Sequence, residues 1–117
     1  MTTQTARTLT EAEWTTRVIE IATLHGWKCH HARPARTAKG WRTPVQGHVG
    51  APDLLLARGG DVIAAELKSA TGRLRPEQRD WLTHLGAHGV LWRPADMDAV
   101  LTRLARPTTT PTTEEPR

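Results

Sequence analysis

The segment PDLLLARGGDVIAAELK, residues 52–68, limits the fold of this chain more than any other part of the sequence. It contains two apolar runs that flank the dipeptide Gly59-Gly60. A Gly-Gly pair between two such runs is typical of a β-hairpin closed by a two-residue turn. The segment therefore predicts two antiparallel strands, and a turn of this length also fixes their register.

The predicted register brings three charged residues to one face of the hairpin. Counting outward from the two-residue turn places Asp53 opposite Glu66. Opposed residues share a face, with Cβ atoms about 4.5 to 5.5 Å apart. Lys68 lies on the same face as Glu66, because side chains two positions apart along a strand point the same way.

The opposed carboxylates have two interpretations. Two facing acids repel each other, and a divalent cation between them would remove that repulsion. Oxygen ligands are the ligands that Mg²⁺ and Mn²⁺ prefer. In the alternative, Asp53 is a turn residue after Pro52, while Glu66 and Lys68 lie on an exposed edge of the sheet. Because the register makes all three charges coincide, we favour a metal site.

A helix and a strand are predicted before the hairpin. Thr10 is followed three residues later by Glu13, the spacing of an N-terminal capping box. An apolar stripe follows and ends near Gly26, so the first helix is expected to begin at Thr10. Residues 27–32 predict a short strand. Residues 33–50 are rich in polar, proline and glycine residues and predict a long exposed loop.

Two more helices and one strand are predicted after the hairpin. Pro76 is suited to the first turn of the second helix, and the last helix follows Pro94. Between them, the run VLWR predicts a third strand. The side chains expected to face the core from these helices are Trp81, Leu82, Leu85, Met97, Val100, Leu101 and Leu104. The element order predicts an α/β fold with a central mixed β-sheet flanked by helices.

The length of 117 residues predicts one domain. We assign it to residues 8–106, with a flexible N-terminus at 1–7 and a disordered Thr/Pro tail at 107–117. No apolar run is long enough to cross a bilayer, and the N-terminus lacks the apolar region of a signal peptide. Cys29 is the only cysteine, which fits a reducing compartment. The expectation is a cytoplasmic protein without a membrane partner.

Basic residues are concentrated before the hairpin. The formal net charge is +4, and residues 28–42 contain five Lys or Arg with no acid before Asp53. Such a segment could contact nucleic-acid phosphates. It could equally be a solvated basic loop, and charge alone does not separate the two interpretations.

The charged hairpin resembles the signature of the PD-(D/E)XK nucleases. The dipeptide Pro52-Asp53 is followed by twelve residues and then by the tripeptide ELK at 66–68. The acid-bearing helix before it and the segment GRLRPEQRDWL at 72–82 are similar to the VRR-NUC branch, found in phage proteins and relatives of Holliday-junction resolvases. The likeness extends from about Thr10 to Leu104. It implies a restriction-endonuclease-like core.

The resemblance assigns roles to the residues of the motif. Asp53 and Glu66 would be metal ligands, with the backbone carbonyl of Leu67 as a third oxygen. Lys68 would orient the attacking water or stabilise charge on the phosphate. Gln78 would bond a phosphate or the attacking water, although a helical glutamine taken alone is usually just exposed.

The family also places a glutamate of the first helix near the metal. Glu11, Glu13 and Glu20 are the candidates here. Glu13 is already used in the capping box, and Arg17 is positioned to pair with Glu20. We therefore favour Glu11 as the third acidic metal ligand.

The predicted function is that of a Mg²⁺- or Mn²⁺-dependent endonuclease. The resemblance implies hydrolysis of phosphodiester bonds in branched or otherwise structured DNA, in a bacterial cell or a phage-infected host. The candidates for DNA contact are His31, Arg33, Arg36 and Arg73. Cleavage of a four-way junction would require a symmetric pair of sites, and hence a homodimer. The alternatives are a nucleic-acid-binding module that does not cut and a subunit of a larger nuclease.

Overall fold

The computed structural model of the chain describes residues 8–32, 35–38, 40–42 and 45–107. The predicted flexible segment at 1–7 and all but the first residue of the predicted tail lie outside these ranges. None of the described helices is both long and apolar enough to cross a membrane. The elements, in chain order, are α1 (Glu11–Leu24), β1 (Lys28–His31), β2 (Ala35–Thr37), β3 (Gly40–Arg42), β4 (Leu54–Arg58), β5 (Asp61–Leu67), α2 (Pro76–Leu85), β6 (Gly89–Trp92) and α3 (Met97–Ala105).

A four-stranded sheet in the order β1-β4-β5-β6 forms the centre of the fold. β4 pairs antiparallel with both β1 and β5, whereas β5 and β6 are parallel neighbours. Parallel neighbours need a crossover connection, and α2 supplies it between β5 and β6. The described part of the chain is therefore α/β with a mixed sheet and three flanking helices, as the element order predicted.

One face of the sheet packs against α1 and α3. Trp14 and Val18 of α1 are fully buried, as are Val100 and Leu104 of α3. They form one apolar cluster with alternate residues of the strands, namely Leu54, Leu56, Ile63, Ala65 and Leu67. The indole of Trp14 also donates a hydrogen bond to the carbonyl of Trp92 at 3.0 Å. This contact fixes α1 against the end of β6, next to the site described below.

The start of α1 is the predicted capping box. The Thr10 hydroxyl accepts a hydrogen bond from the Glu13 backbone N–H, and the Glu13 carboxylate accepts one from the Thr10 N–H, both at 3.0 Å. These bonds satisfy two backbone donors that would otherwise lack helical partners. The helix therefore begins where the sequence predicted.

Three details differ from the sequence-based expectation. The segment predicted as one long loop contains a two-stranded sheet, β2 and β3, paired from Ala35↔Arg42 to Thr37↔Gly40. Trp81 is half-buried rather than a core residue, because its indole N–H donates to the carbonyls of a neighbouring loop. Leu101 is 40% exposed, since α3 buries only the side containing Val100 and Leu104.

Candidate active site

The register of the hairpin is the predicted one. Arg58 pairs with Asp61 next to the turn, and Leu54 pairs with Ala65 at the other end. Asp53 directly precedes β4, and its carbonyl accepts a hydrogen bond from the Ala32 N–H at 2.8 Å, which continues the β1–β4 ladder. Extended by one residue, this register places Asp53 opposite Glu66, on the face of the sheet opposite to the buried Leu54 and Ala65.

Glu66 is a buried acid with two polar partners. Its side chain is 4% exposed, and its Oε2 atom lies 3.6 Å from Lys68 Nζ. The same oxygen accepts a hydrogen bond from the Gln78 side-chain amide at 3.1 Å. Burial, and then repulsion from Asp53, raise the pKa of Glu66 to about 7, although Lys68 opposes the shift. Glu66 is thus costly to ionise unless further positive charge is supplied.

Gln78 is fixed in position by the start of α2. It is 7% exposed, so it is not the exposed helical glutamine that would be expected by default. Its Oε1 atom accepts a hydrogen bond from the Arg75 backbone N–H at 2.9 Å. The amide oxygen is therefore used at the helix N-terminus, which leaves the NH₂ group directed at Glu66. No sequence pattern indicates this orientation, because it depends on how α2 lies over β5.

Asp53 has a buried oxygen without a partner. Its Oδ1 atom is inaccessible to solvent and makes no hydrogen bond in the described part of the chain. Its Oδ2 atom lies 3.8 Å from His31 Nε2. Burial raises the pKa of Asp53, and repulsion from Glu11 adds to that shift, against the lowering effects of His31 and Lys68. An unpaired buried carboxylate oxygen is unfavourable and requires an explanation.

The first helix directs Glu11 toward this pair. Glu11 lines the same cleft as Asp53 and Glu66, and its charge raises the pKa of both. Glu13 is used in the capping box. Glu20 lies 3.9 Å from Arg17 on the exposed surface of α1. Of the three helical acids, Glu11 is therefore the one that faces the site.

Glu11, Asp53 and Glu66 line a cleft with a volume of about 710 Å³. One wall is formed by Val45 and residues 48–52, and another by the first turn of α2. The Trp81 indole holds these walls together by donating to the carbonyls of His48 and Val49, at 3.2 and 3.1 Å. Gly50 lies against α2 so closely that an added Cβ would be 2.7 Å from the Glu77 carbonyl oxygen. Apart from the glycines, no pattern in the sequence indicates this wall of the cleft.

Gly50→Ala is expected to destabilise the protein by about 1 to 3 kcal/mol, because the new methyl group would collide with backbone atoms of α2. Gly47→Ala is the matched control. Gly47 lies in the same segment with a similar φ, +111° compared with +101°, but an added Cβ there meets nothing within 4 Å. Urea unfolding should show a larger loss for Gly50→Ala. Equal losses would mean that the contact with α2 does not hold the wall.

The residues present fit a divalent cation. No group of three or more His, Cys, Asp or Glu side chains in the described ranges is already arranged as a metal centre. Mg²⁺ does not require one, because it keeps several waters and is commonly bound through one or two carboxylates. The unpartnered Asp53 Oδ1 and the buried Glu66 carboxylate supply two oxygens. Leu67 directs its side chain into the core, so only its backbone carbonyl could serve as a ligand.

The predicted DNA-contact residues have different positions. His31 lies beside Asp53, so it belongs to the acid site itself. Arg73 is exposed and lines a second cleft beyond Lys68. Arg33 and the side chain of Arg36 lie outside the described residues.

Comparison of the chain with protein-family models, curated proteins and solved structures gave no match. The functional assignment therefore depends on the geometry of the site and on the residues of the motif.

Proposed function

We propose that this chain is a Mg²⁺- or Mn²⁺-dependent DNA endonuclease of the PD-(D/E)XK type. The observation that carries the proposal is the pair of the buried Glu66 and the half-buried Asp53, which share a face of the sheet beside Lys68. One carboxylate oxygen of the pair, Asp53 Oδ1, is buried and has no partner in the described part of the chain. A structural role alone gives no reason to place two repelling acids next to each other with so little access to solvent. A cation site supplies that reason.

Each residue then has a definite task. Asp53, Glu66 and the Leu67 carbonyl would hold the cation, with Glu11 contributing from α1. When bound, the cation lowers the pKa of a nearby water and offsets charge on the scissile phosphate. Lys68 places a positive charge 3.6 Å from Glu66, where it can orient the attacking water and stabilise the phosphate.

Gln78 and His31 support the two acids. Gln78 donates to Glu66 Oε2 and so limits the rotation of that carboxylate. His31 lies 3.8 Å from the Oδ2 atom of Asp53, so the Oδ1 atom, which has no partner in the described part of the chain, is the one available to a cation. The mixed sheet with flanking helices is the arrangement that we interpret as a restriction-endonuclease-like core.

The substrate in this proposal is branched or structured DNA. The net charge of +4 favours association with a polyanion. The described residues of each chain contain one acid site, so cutting both strands of a four-way junction would require two chains related by symmetry. We therefore expect a homodimer on that substrate.

The test of the proposal is cleavage of labelled linear duplex, single-stranded, flap and four-way-junction DNA in Mg²⁺, Mn²⁺ or EDTA. Cleavage in either metal and none in EDTA is the expected result, and the ranking of substrates would define the biological target. If none of the four DNAs is cut in either metal, the nuclease proposal is wrong. Retained, salt-sensitive DNA binding would then identify a binding module.

Gln78→Leu is expected to lower the cleavage rate by about 10- to 100-fold, because Glu66 would lose the donor that orients it. The substitution keeps the size of the side chain but removes both of its hydrogen bonds. Gln46→Leu makes the same chemical change at an exposed position outside the cleft lining. Single-turnover rates should distinguish the two variants, and equal rates would show that Gln78 does not support Glu66.

A further inference from the structure

A second cleft lies on the side of the sheet that faces α2. Lys68 lies between this cleft and the acid site. It has a volume of about 430 Å³, and it is formed by the segment between β5 and α2, by α2 and by the end of β6. Three arginines line it, Arg73, Arg79 and Arg93, and we call it the arginine cleft. No acidic residue is among its lining residues in the described part of the chain.

Arg93 gives the cleft a fixed wall. Its Nη1 atom donates hydrogen bonds to the carbonyls of Ser69 and Gly72, both at 2.7 Å. Gly72 is held from the other side, because its backbone N–H donates to the Ser69 hydroxyl at 3.0 Å. The segment from Ser69 to Gly72 is thus tied down at both ends, which gives the cleft a defined shape without a ligand.

Arg73 and Arg79 provide positive charge that the described residues do not neutralise. Both are exposed, and neither forms an ion pair within those ranges. The neighbouring acids are otherwise engaged: Glu77 binds Arg75 at 2.9 Å, and Asp80 lies 3.6 Å from His84. Two free guanidinium groups over a preformed cleft favour an oxygen anion such as a phosphate group, for which their planar donors are well suited.

The arginine cleft adjoins the acid site directly. Leu91, which lines the cleft, is the register partner of Glu66 on the neighbouring strand. Adjacent strands lie roughly 5 Å apart. In addition, Gly72 packs along the Lys68 side chain, where an added Cβ would be 3.5 Å from Lys68 Cδ. A single ligand strand could therefore reach both sites within a few nucleotides, since phosphates rise about 3.4 Å per nucleotide.

We infer that the arginine cleft binds a backbone phosphate of the substrate strand, next to the phosphate that is placed at Asp53, Glu66 and Lys68. The inference rests on the proposed function, because it identifies the ligand as nucleic acid. Arg73 and Arg79 contact the phosphate oxygens, while Arg93 positions the segment that carries Arg73. The cleft therefore sets the register of the strand across the acid site, which is the usual role of phosphate contacts.

The test is DNA binding in EDTA, where strand cleavage does not interfere. Arg73→Ala/Arg79→Ala is compared with Arg17→Ala/Arg106→Ala, which removes the same charge from exposed positions outside both clefts. The first variant is expected to bind a labelled duplex about tenfold more weakly at 0.15 M salt. The slope of log K against log salt should also fall by about 1, for one lost phosphate contact. The control should remain within about twofold of the wild type.

Methylphosphonate substitution then locates the contact, because it removes the charge of one phosphate at a time. Wild-type binding should weaken about tenfold at one position, and the Arg73/Arg79 variant should be insensitive at that position. Identical sensitivity in both proteins, or unchanged affinity of the variant, would overturn the inference. A wild type that binds inorganic phosphate but no DNA, with phosphate binding lost in the Arg73/Arg79 variant, would also overturn it, because the cleft would then serve a small anion. If the expected pattern appears and no metal supports cleavage, the cleft assignment stands and the nuclease proposal fails.

Discussion

Asp53→Asn is expected to reduce metal-dependent DNA cleavage by at least about 10²- to 10³-fold. The substitution keeps the size of the side chain but removes the negative charge beside Glu66. It also replaces one of the two carboxylates available to a cation, including the buried Oδ1 atom that has no partner in the described part of the chain. The measurement is the single-turnover cleavage rate of the best substrate in Mg²⁺ and in Mn²⁺.

Asp80→Asn is the matched control for that experiment. Asp80 lies on the exposed surface of α2, 3.6 Å from His84, and is not among the residues that line the cleft. Its replacement should change the cleavage rate by less than about twofold. If Asp53→Asn retains wild-type activity, or if both variants lose the same amount, the acid pair is not the active site.

Glu66→Gln is expected to abolish cleavage and, at the same time, to stabilise the metal-free protein by up to about 3 kcal/mol at pH 8. Burial and Asp53 raise the pKa of Glu66 from 4.5 to about 7 in the folded chain. The folded state therefore holds the Glu66 proton more tightly than the unfolded state does. The stability that the protonated Glu66 contributes to the wild type is fully present below pH 4.5. It is lost as the pH rises through 7, because Glu66 then ionises in the folded protein.

The control and the pH series make this prediction specific. Urea unfolding in EDTA should show similar stabilities for wild type and Glu66→Gln near pH 4.5, with the variant more stable at pH 8. Glu20→Gln, an exposed change on α1, should match the wild type at both values. Mg²⁺ should stabilise the wild type at pH 8 and have little effect on Glu66→Gln. A variant that is less stable than wild type at pH 8 would contradict the burial argument.

The hairpin and the first helix could be predicted from the sequence because their signals are local. The two-residue turn fixes the register, so Asp53 and Glu66 could be brought together without knowledge of the rest of the fold. The capping box of Thr10 and Glu13 likewise fixes the start of α1. The capping hydrogen bonds of Glu13 also excluded it as the helical metal ligand. In the structure, Glu11 lines the cleft.

The remaining features depend on contacts between distant segments. The strands Ala35–Thr37 and Gly40–Arg42 are only three residues long, which is too short to show the alternation that identifies a strand. The sequence does not distinguish Gln78 from any other helical glutamine, because its role depends on the placement of α2 over Glu66. Trp81 was expected in the core because of its size, but its indole N–H bonds a loop 32 residues earlier in the chain. Arg93 anchors Ser69, 24 residues away, and no local pattern indicates that contact.

The central claim is that Asp53, Glu66 and Glu11 form a divalent-cation site, and Mn²⁺ binding tests it most directly. Titration of the wild-type protein, followed by the electron paramagnetic resonance signal of free Mn²⁺, requires no substrate. We predict saturable binding that is weakened about tenfold or more in Glu11→Gln and is unchanged in Glu20→Gln, because only Glu11 faces Asp53 and Glu66. Absence of saturable Mn²⁺ binding, with and without DNA, would contradict the account.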